Sequence, residues 1–176
     1  MKQLNVNSLS ISSLTAALYV TIVFFLTGIT RWLGTFILPL SIIFGPPYAI
    51  GMGIGSFLST FIVPRDPLVI LSAVVGATSN FVASYACFFV YKKFKPKKEF
   101  WRMQIACLVA VLLTVFIDGT RTLIAWWFIG INWSIFQIWG LTFVFSFFSI
   151  NIIGFWILTN VKKFLTKVEQ RRISSL

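Results

Sequence analysis

Residues 103–127 read MQIACLVAVLLTVFIDGTRTLIAWW, and the only charges in this stretch are Asp118 and Arg121. A helix of about 20 apolar residues crosses a hydrocarbon core about 30 Å thick, so this stretch predicts a membrane-spanning helix. A charge near the middle of a bilayer costs about 3 kcal/mol or more unless it has a partner or lines a wet cavity. At i and i+3, Asp118 and Arg121 lie on one face of the helix and can pair. The pair therefore reads as a binding or gating element; the alternative is a structural ion pair that fixes helix packing, a weak source of net stability.

The rest of the chain agrees with a membrane location. Of its 176 residues 58% are hydrophobic and 11% charged, against about 25% charged in a soluble domain. The length accommodates a single membrane domain, 1–176, of about five to seven helices and leaves no room for a soluble catalytic domain. The net charge of +11 raises nucleic acid as a partner. The basic residues, however, gather in two short segments beside apolar runs, which points to membrane topology and anionic membrane lipid, with no nucleic acid. Cys87 and Cys107 both fall in apolar segments without a CxxC spacing, so they read as small buried hydrophobes. The N-terminal region has only Lys2 before a long apolar run and no small-residue cleavage site, and is expected to be a retained first helix.

Six spans are predicted, at about 12–29, 33–44, 47–63, 68–91, 103–129 and 134–161, giving an all-α six-helix bundle. Gly45-Pro46-Pro47 separates the second from the third, because proline removes a backbone donor inside a helix. The second is short: twelve residues reach about 18 Å, so it is expected to start earlier, near Thr30, or to lie tilted and buried by its neighbours. Lys92, Lys93, Lys95, Lys97, Lys98 and Arg102 lie between spans four and five, and Lys162, Lys163, Lys167, Arg171 and Arg172 follow span six. Positive residues stay in the cytoplasm. Two spans separate these clusters, so the parity is consistent and both termini are expected inside, in a prokaryotic plasma membrane.

With that orientation Asp118 is near the midplane and Arg121 about 4.5 Å further out. Beyond them lie Trp126, Trp127, Asn132, Trp133, Gln137 and Trp139. Rings that stack and amides that orient suit a flat, polar, small organic ligand; the alternative is an interfacial aromatic belt. Asn80 sits in mid-span as an interhelical hydrogen bond or a further ligand contact. Small residues recur every four positions: Ser13, Ala17 and Thr21; Gly51, Gly55 and Ser59; Ser72, Gly76, Asn80 and Ser84. Such stripes let helices approach closely in lipid, and the first could equally dock another membrane protein.

Several activities lack their residues. There is no histidine, which removes histidine-based acid–base catalysis and histidine metal sites. There is no G-x-x-x-x-G-K-[ST] loop for ATP. Asp118-Gly119 followed by Arg121 is faintly similar to the opening of the membrane CDP-alcohol phosphotransferase motif. The only other acidic residues are Asp66, Glu99 and Glu169, and none continues that pattern. No enzymatic role, metal or cofactor is expected.

The stretches Leu14-Thr15-Ala16-Ala17-Leu18-Tyr19-Val20-Thr21, Leu38-Pro39-Leu40 and Pro46-Pro47-Tyr48-Ala49-Ile50-Gly51-Met52-Gly53-Ile54-Gly55, with the length and the short second helix, resemble the substrate-binding S components of energy-coupling factor (ECF) vitamin transporters. The closest likeness is to the queuosine-precursor branch, although Asp118-Gly119-Thr120-Arg121 does not match that branch. The resemblance implies capture of a vitamin or precursor from outside, with Asp118, Arg121, Trp126, Trp127, Asn132, Trp133, Gln137 and Asn80 as substrate contacts. It also implies a transmembrane coupling subunit and two cytoplasmic ATPases as partners. In that family a first-helix A-x-x-x-A packs on the coupling subunit; here the register reads Ala17-x-x-x-Thr21, preceded by Ser13, so the second alanine is missing. The rival readings are a stand-alone or proton-coupled carrier using Asp118, and a non-transporting membrane interaction protein.

Overall fold

The computed structural model describes residues 6–25, 31–62, 68–94, 98–130 and 134–174. Among them the chain is all-helical, with no strand. Helix α1 is Val6–Phe25. Helix α2 covers 31–44, as a 3₁₀ stretch Arg31–Leu40 that runs into an α-helical turn Ser41–Phe44. Then come α3, Pro46–Ile62; α4, Val69–Lys93; and α5, Glu99–Ile129. Helix α6 covers 135–174 without interruption: Ile135–Ser146 is α-helical, Phe147–Gly154 is π-helical and Phe155–Ser174 is α-helical again. Four helical stretches, Val6–Phe25, Val69–Lys93, Glu99–Ile124 and Phe136–Gln170, are long and apolar enough to cross a membrane, which fits a membrane protein.

Side-chain placement is the reverse of a soluble fold. Large apolar residues such as Leu14, Leu112, Phe116, Val144 and Trp156 face outward, while Ser72, Ser79, Ser84, Thr114 and Thr142 are buried. A soluble monomer rarely exposes apolar surface on this scale. Some of the helix hydroxyls are satisfied locally: those of Thr15, Thr21 and Thr142 donate to carbonyls one turn back, at Ile11, Ala17 and Ile138, the usual way such residues are accommodated inside helices.

Helix α1 packs along α3, α3 along α4, α4 along α5, and α5 against the first part of α6. The α1–α3 approach is backbone to backbone. A Cβ on Gly51 would lie 2.4 Å from the carbonyl oxygen of Ser12, and one on Gly55 would lie 2.9 Å from that of Ala16. The Ser12 hydroxyl also donates to the carbonyl of Pro47 at 2.7 Å. This is the close approach that small residues permit in lipid. On α1 the contact uses Ser12, Thr15, Ala16 and Tyr19, which are buried; Ser13, Ala17 and Thr21 are exposed. Gly51→Ala is expected to destabilise by about 1–2 kcal/mol, since α1 packs chiefly on α3 and can shift outward. Gly140→Ala, where a Cβ meets nothing within 4 Å, is expected to be neutral or to stabilise by up to about 1 kcal/mol. Thermal unfolding of the two variants in detergent checks the contrast.

Helix α2 touches every other helix, and Leu38 and Ser41 are fully buried. Its winding answers the problem of its length. Ten 3₁₀ residues at about 2.0 Å and four α residues at about 1.5 Å reach about 26 Å, where fourteen α residues would reach about 21 Å. Such a long 3₁₀ run is uncommon, and two contacts hold it. The Tyr48 hydroxyl donates to the carbonyl of Ile37 at 3.0 Å. Pro39 has no N–H, so the i–3 carbonyl, that of Phe36, loses its donor in a 3₁₀ helix. That carbonyl faces Gly154 of the π segment, where a Cβ would lie 2.4 Å from it. The glycine hydrogen in that direction makes a Cα–H···O contact instead. Beside it, Thr35 Oγ1 donates to Ser149 Oγ at 3.0 Å. The chain leaves α2 at Gly45, whose φ of 75° is the left-handed region glycine tolerates, and Pro46 and Pro47 open α3, where no N–H is needed.

Helix ends differ from the expected ones at several points. Helix α1 begins at Val6 rather than 12, and the expected 26–29 lie outside the described residues. Helix α4 runs two residues further, to Lys93, and α5 begins four earlier, at Glu99, an acidic residue suited to a helix N-terminus. Helix α6 does not stop at 161 but continues to Ser174. Lysine and arginine are good helix formers; a basic cluster marks where a helix leaves the apolar layer, and the hydrogen bonding continues past it.

Candidate functional site

Thr114, Asp118 and Arg121 stand on one face of α5, at i, i+4 and i+7, and line a cavity of about 40 Å³ inside the bundle. Every helix contributes to its wall: Tyr19 from α1, Thr35 from α2, Ser56 from α3, Gly76 and Asn80 from α4, and Thr142 and Ser146 from α6. The lining is a set of hydroxyls and one amide around one acid and one base. In this conformation the space accommodates about three waters.

The Asp118 carboxylate accepts from the Ser79 hydroxyl at 3.2 Å. Its other oxygen lies 4.0 Å from Arg121 Nε, the two side chains being 20% and 15% exposed. At that separation the charges attract but do not hydrogen-bond. Arg121 Nε is buried without a hydrogen-bond partner, and so are Ser56 Oγ, Asn80 Oδ1 and Thr114 Oγ1 in the same wall. The Asn80 amide nitrogen is used, donating to the Tyr19 hydroxyl at 3.0 Å, while its oxygen is buried without a hydrogen-bond partner. Leaving a buried polar atom without a partner costs about 1–3 kcal/mol, so four around one space call for waters or a polar ligand there.

Gly119 admits an aromatic wall beside the pair. A Cβ there would lie 2.7 Å from Cδ1 of Trp139, so only glycine lets the indole rest on α5. Its Nε1 is buried without a partner, and its ring centroid is 6.0 Å from that of Phe116.

The structure thus brings together Asp118, Arg121 and Asn80 of the residues singled out from the sequence. It does not bring Gln137 or Trp127 to them. Trp127 is 74% exposed. Gln137 is exposed and closes a capping box at the start of α6: its Oε1 accepts from the Ser134 backbone N–H at 3.0 Å, and its own N–H donates to Ser134 Oγ at 3.3 Å. That role satisfies two of the free donors of a helix N-terminus. Asn132, Trp133 and the side chain of Trp126 lie outside the described residues. Ser13 borders an apolar groove of about 310 Å³ between α1 and α3, with Leu9, Pro47, Ile50 and Ile54; Ala17 and Thr21 continue the same exposed side of α1.

Sequence reading missed Tyr19, Thr35, Ser56, Thr114, Thr142 and Ser146. Thr114 was within reach, one turn before Asp118 on its face, and so were Thr142 and Ser146, an i, i+4 polar pair in an apolar helix. Tyr19, Thr35 and Ser56 carried no such mark. Among the described residues no group of three or more His, Cys, Asp or Glu could hold a metal, and both cysteines are buried and free. No protein family, curated protein or solved structure matches the chain.

Proposed function

We propose that this chain is a six-span membrane subunit, both termini cytoplasmic, that captures a small polar molecule from outside in the Asp118–Arg121 cavity. In keeping with its resemblance to ECF S components, it hands a vitamin or vitamin-like precursor to a transmembrane coupling subunit driven by two cytoplasmic ATPases. The observation that carries this reading is a cavity lined by an acid and a base, where Arg121 Nε, Ser56 Oγ, Asn80 Oδ1 and Thr114 Oγ1 of the lining residues are buried without a hydrogen-bond partner. Structural ion pairs are ordinarily surrounded by satisfied groups; a ligand site keeps donors and acceptors free. A ligand of vitamin size needs roughly 300 Å³ or more, so capture includes an opening of the helices around α2. The exposed face of Ser13, Ala17 and Thr21, beside the α1–α3 groove, supports α1 as the side on which the coupling subunit docks.

The test is affinity purification from the native membrane in mild detergent, with mass spectrometry of both proteins and small molecules. Nucleotide-binding subunits and one stoichiometric small molecule are expected; a protein that purifies with neither sinks the assignment. The small size of the cavity favours a second reading, a stand-alone proton-coupled carrier with Asp118 as the proton site. Uptake by the purified chain in liposomes, without ATPases, decides for it.

A further inference from the structure

A second cleft, of about 600 Å³, lies far from the internal cavity, between the start of α5 and the end of α6. Met103 forms part of its floor, and Glu99, Lys162, Lys163, Lys167 and Gln170 stand around it. Glu99 and Lys162 form an ion pair, and the Tyr91 hydroxyl donates to the same carboxylate at 2.5 Å. Lys162 is therefore already compensated. Lys163 and Lys167 have no carboxylate partner among the described residues, although they stand one turn apart, where like charges repel. Three lysines against one carboxylate leave the cleft with a charge of +2. Over the whole chain fifteen basic residues stand against four acidic ones.

The surroundings decide what kind of anion fits. One turn further into the apolar part of α6, Phe155 meets Phe100 of α5 edge to face, with centroids 5.4 Å apart. Phe100, next in the chain to Glu99, is 52% exposed. A cationic cleft that continues into an exposed aromatic flank suits an amphiphile with an anionic head, and basic pockets between helices on the cytoplasmic side are where such heads bind. We propose that this cleft seats the phosphate of an anionic phospholipid, held by Lys163 and Lys167, with the Gln170 amide as a further donor and the acyl chains along Phe100 and Phe155. The Glu99–Lys162 pair forms the rim and keeps Lys162 from competing for the phosphate.

Delipidated full-length protein, given equal phosphatidylglycerol and phosphatidylcholine in mixed micelles and read by native mass spectrometry, tests this. The wild type is expected to retain phosphatidylglycerol preferentially, and Lys163→Gln/Lys167→Gln is expected to lose about fivefold per lysine, about twenty-five-fold for both. The control Lys92→Gln/Lys93→Gln removes the same charge from the end of α4 and is expected to keep the preference. Equal retention of the two lipids by the wild type overturns the proposal, as does an unchanged preference in the first variant. An equal loss in both variants also overturns it, by reducing the effect to net charge. So does complete displacement of the lipid by millimolar inorganic phosphate, which assigns the cleft to free phosphate. None of these outcomes depends on the Asp118–Arg121 cavity.

Discussion

Arg121→Ala is expected to lower affinity for the co-purifying small molecule at least tenfold and to destabilise the protein by about 2–3 kcal/mol. The stability loss comes from removing the cation that faces the Asp118 carboxylate, while the Ser79 hydroxyl still donates to it. It is set below the roughly 3–5 kcal/mol of a fully buried broken pair, because the partners stand 4.0 Å apart and are partly exposed. The two roles of the pair separate in a double-mutant cycle. Asp118→Asn/Arg121→Gln removes both charges and keeps a polar side chain at each position. If the pair only braces helices, this variant recovers both stability and binding. If the pair contacts ligand, it recovers stability and still binds at least tenfold more weakly. Affinity within a factor of two of wild type in both Asp118→Asn and Arg121→Ala would falsify the binding role.

Gly154→Ala is expected to lower the melting temperature in detergent by about 5 °C, corresponding to about 2–3 kcal/mol. The added Cβ meets the Phe36 carbonyl at 2.4 Å, with the Pro39 ring at 3.0 Å behind it. Neither can yield easily, since one is the backbone of α2 and the other a ring closed onto it, and α2 contacts every other helix. This distinguishes the site from Gly51, where α1 has room to move outward. A shift of α2 also carries Thr35 out of the cavity wall, so a loss of ligand affinity is expected to accompany the loss of stability. Melting within about 1 °C of wild type would show that the α2–α6 contact is looser than described.

How much was legible follows from what each signal depends on. The long apolar helices, the break at Gly45-Pro46-Pro47 and the shared face of Asp118 and Arg121 are properties of neighbouring residues, and a 3.6-residue period is enough to read them. Gln137 shows the limit of that approach. An amide near a row of tryptophans suggests ligand recognition, while Ser134 three residues earlier was an equally local capping signal that decided its place. Trp139 was one tryptophan among several until Gly119 gave it a seat.

By itself the sequence determined that this is an all-helical chain with helices suited to a membrane, where they break, and that one helix carries an acid and a base on one face. Only the tertiary structure decided which small-residue face of α1 packs, how α2 is wound and which hydroxyls share a cavity. Hydropathy and proline positions act within a few residues. A uniformly apolar helix has no preferred side in lipid, where burial against protein and burial against acyl chains are nearly equivalent. The choice then falls to fit against a partner backbone: Ser12 and Ala16 against Gly51 and Gly55, Phe36 against Gly154. Those partners are distant in the chain.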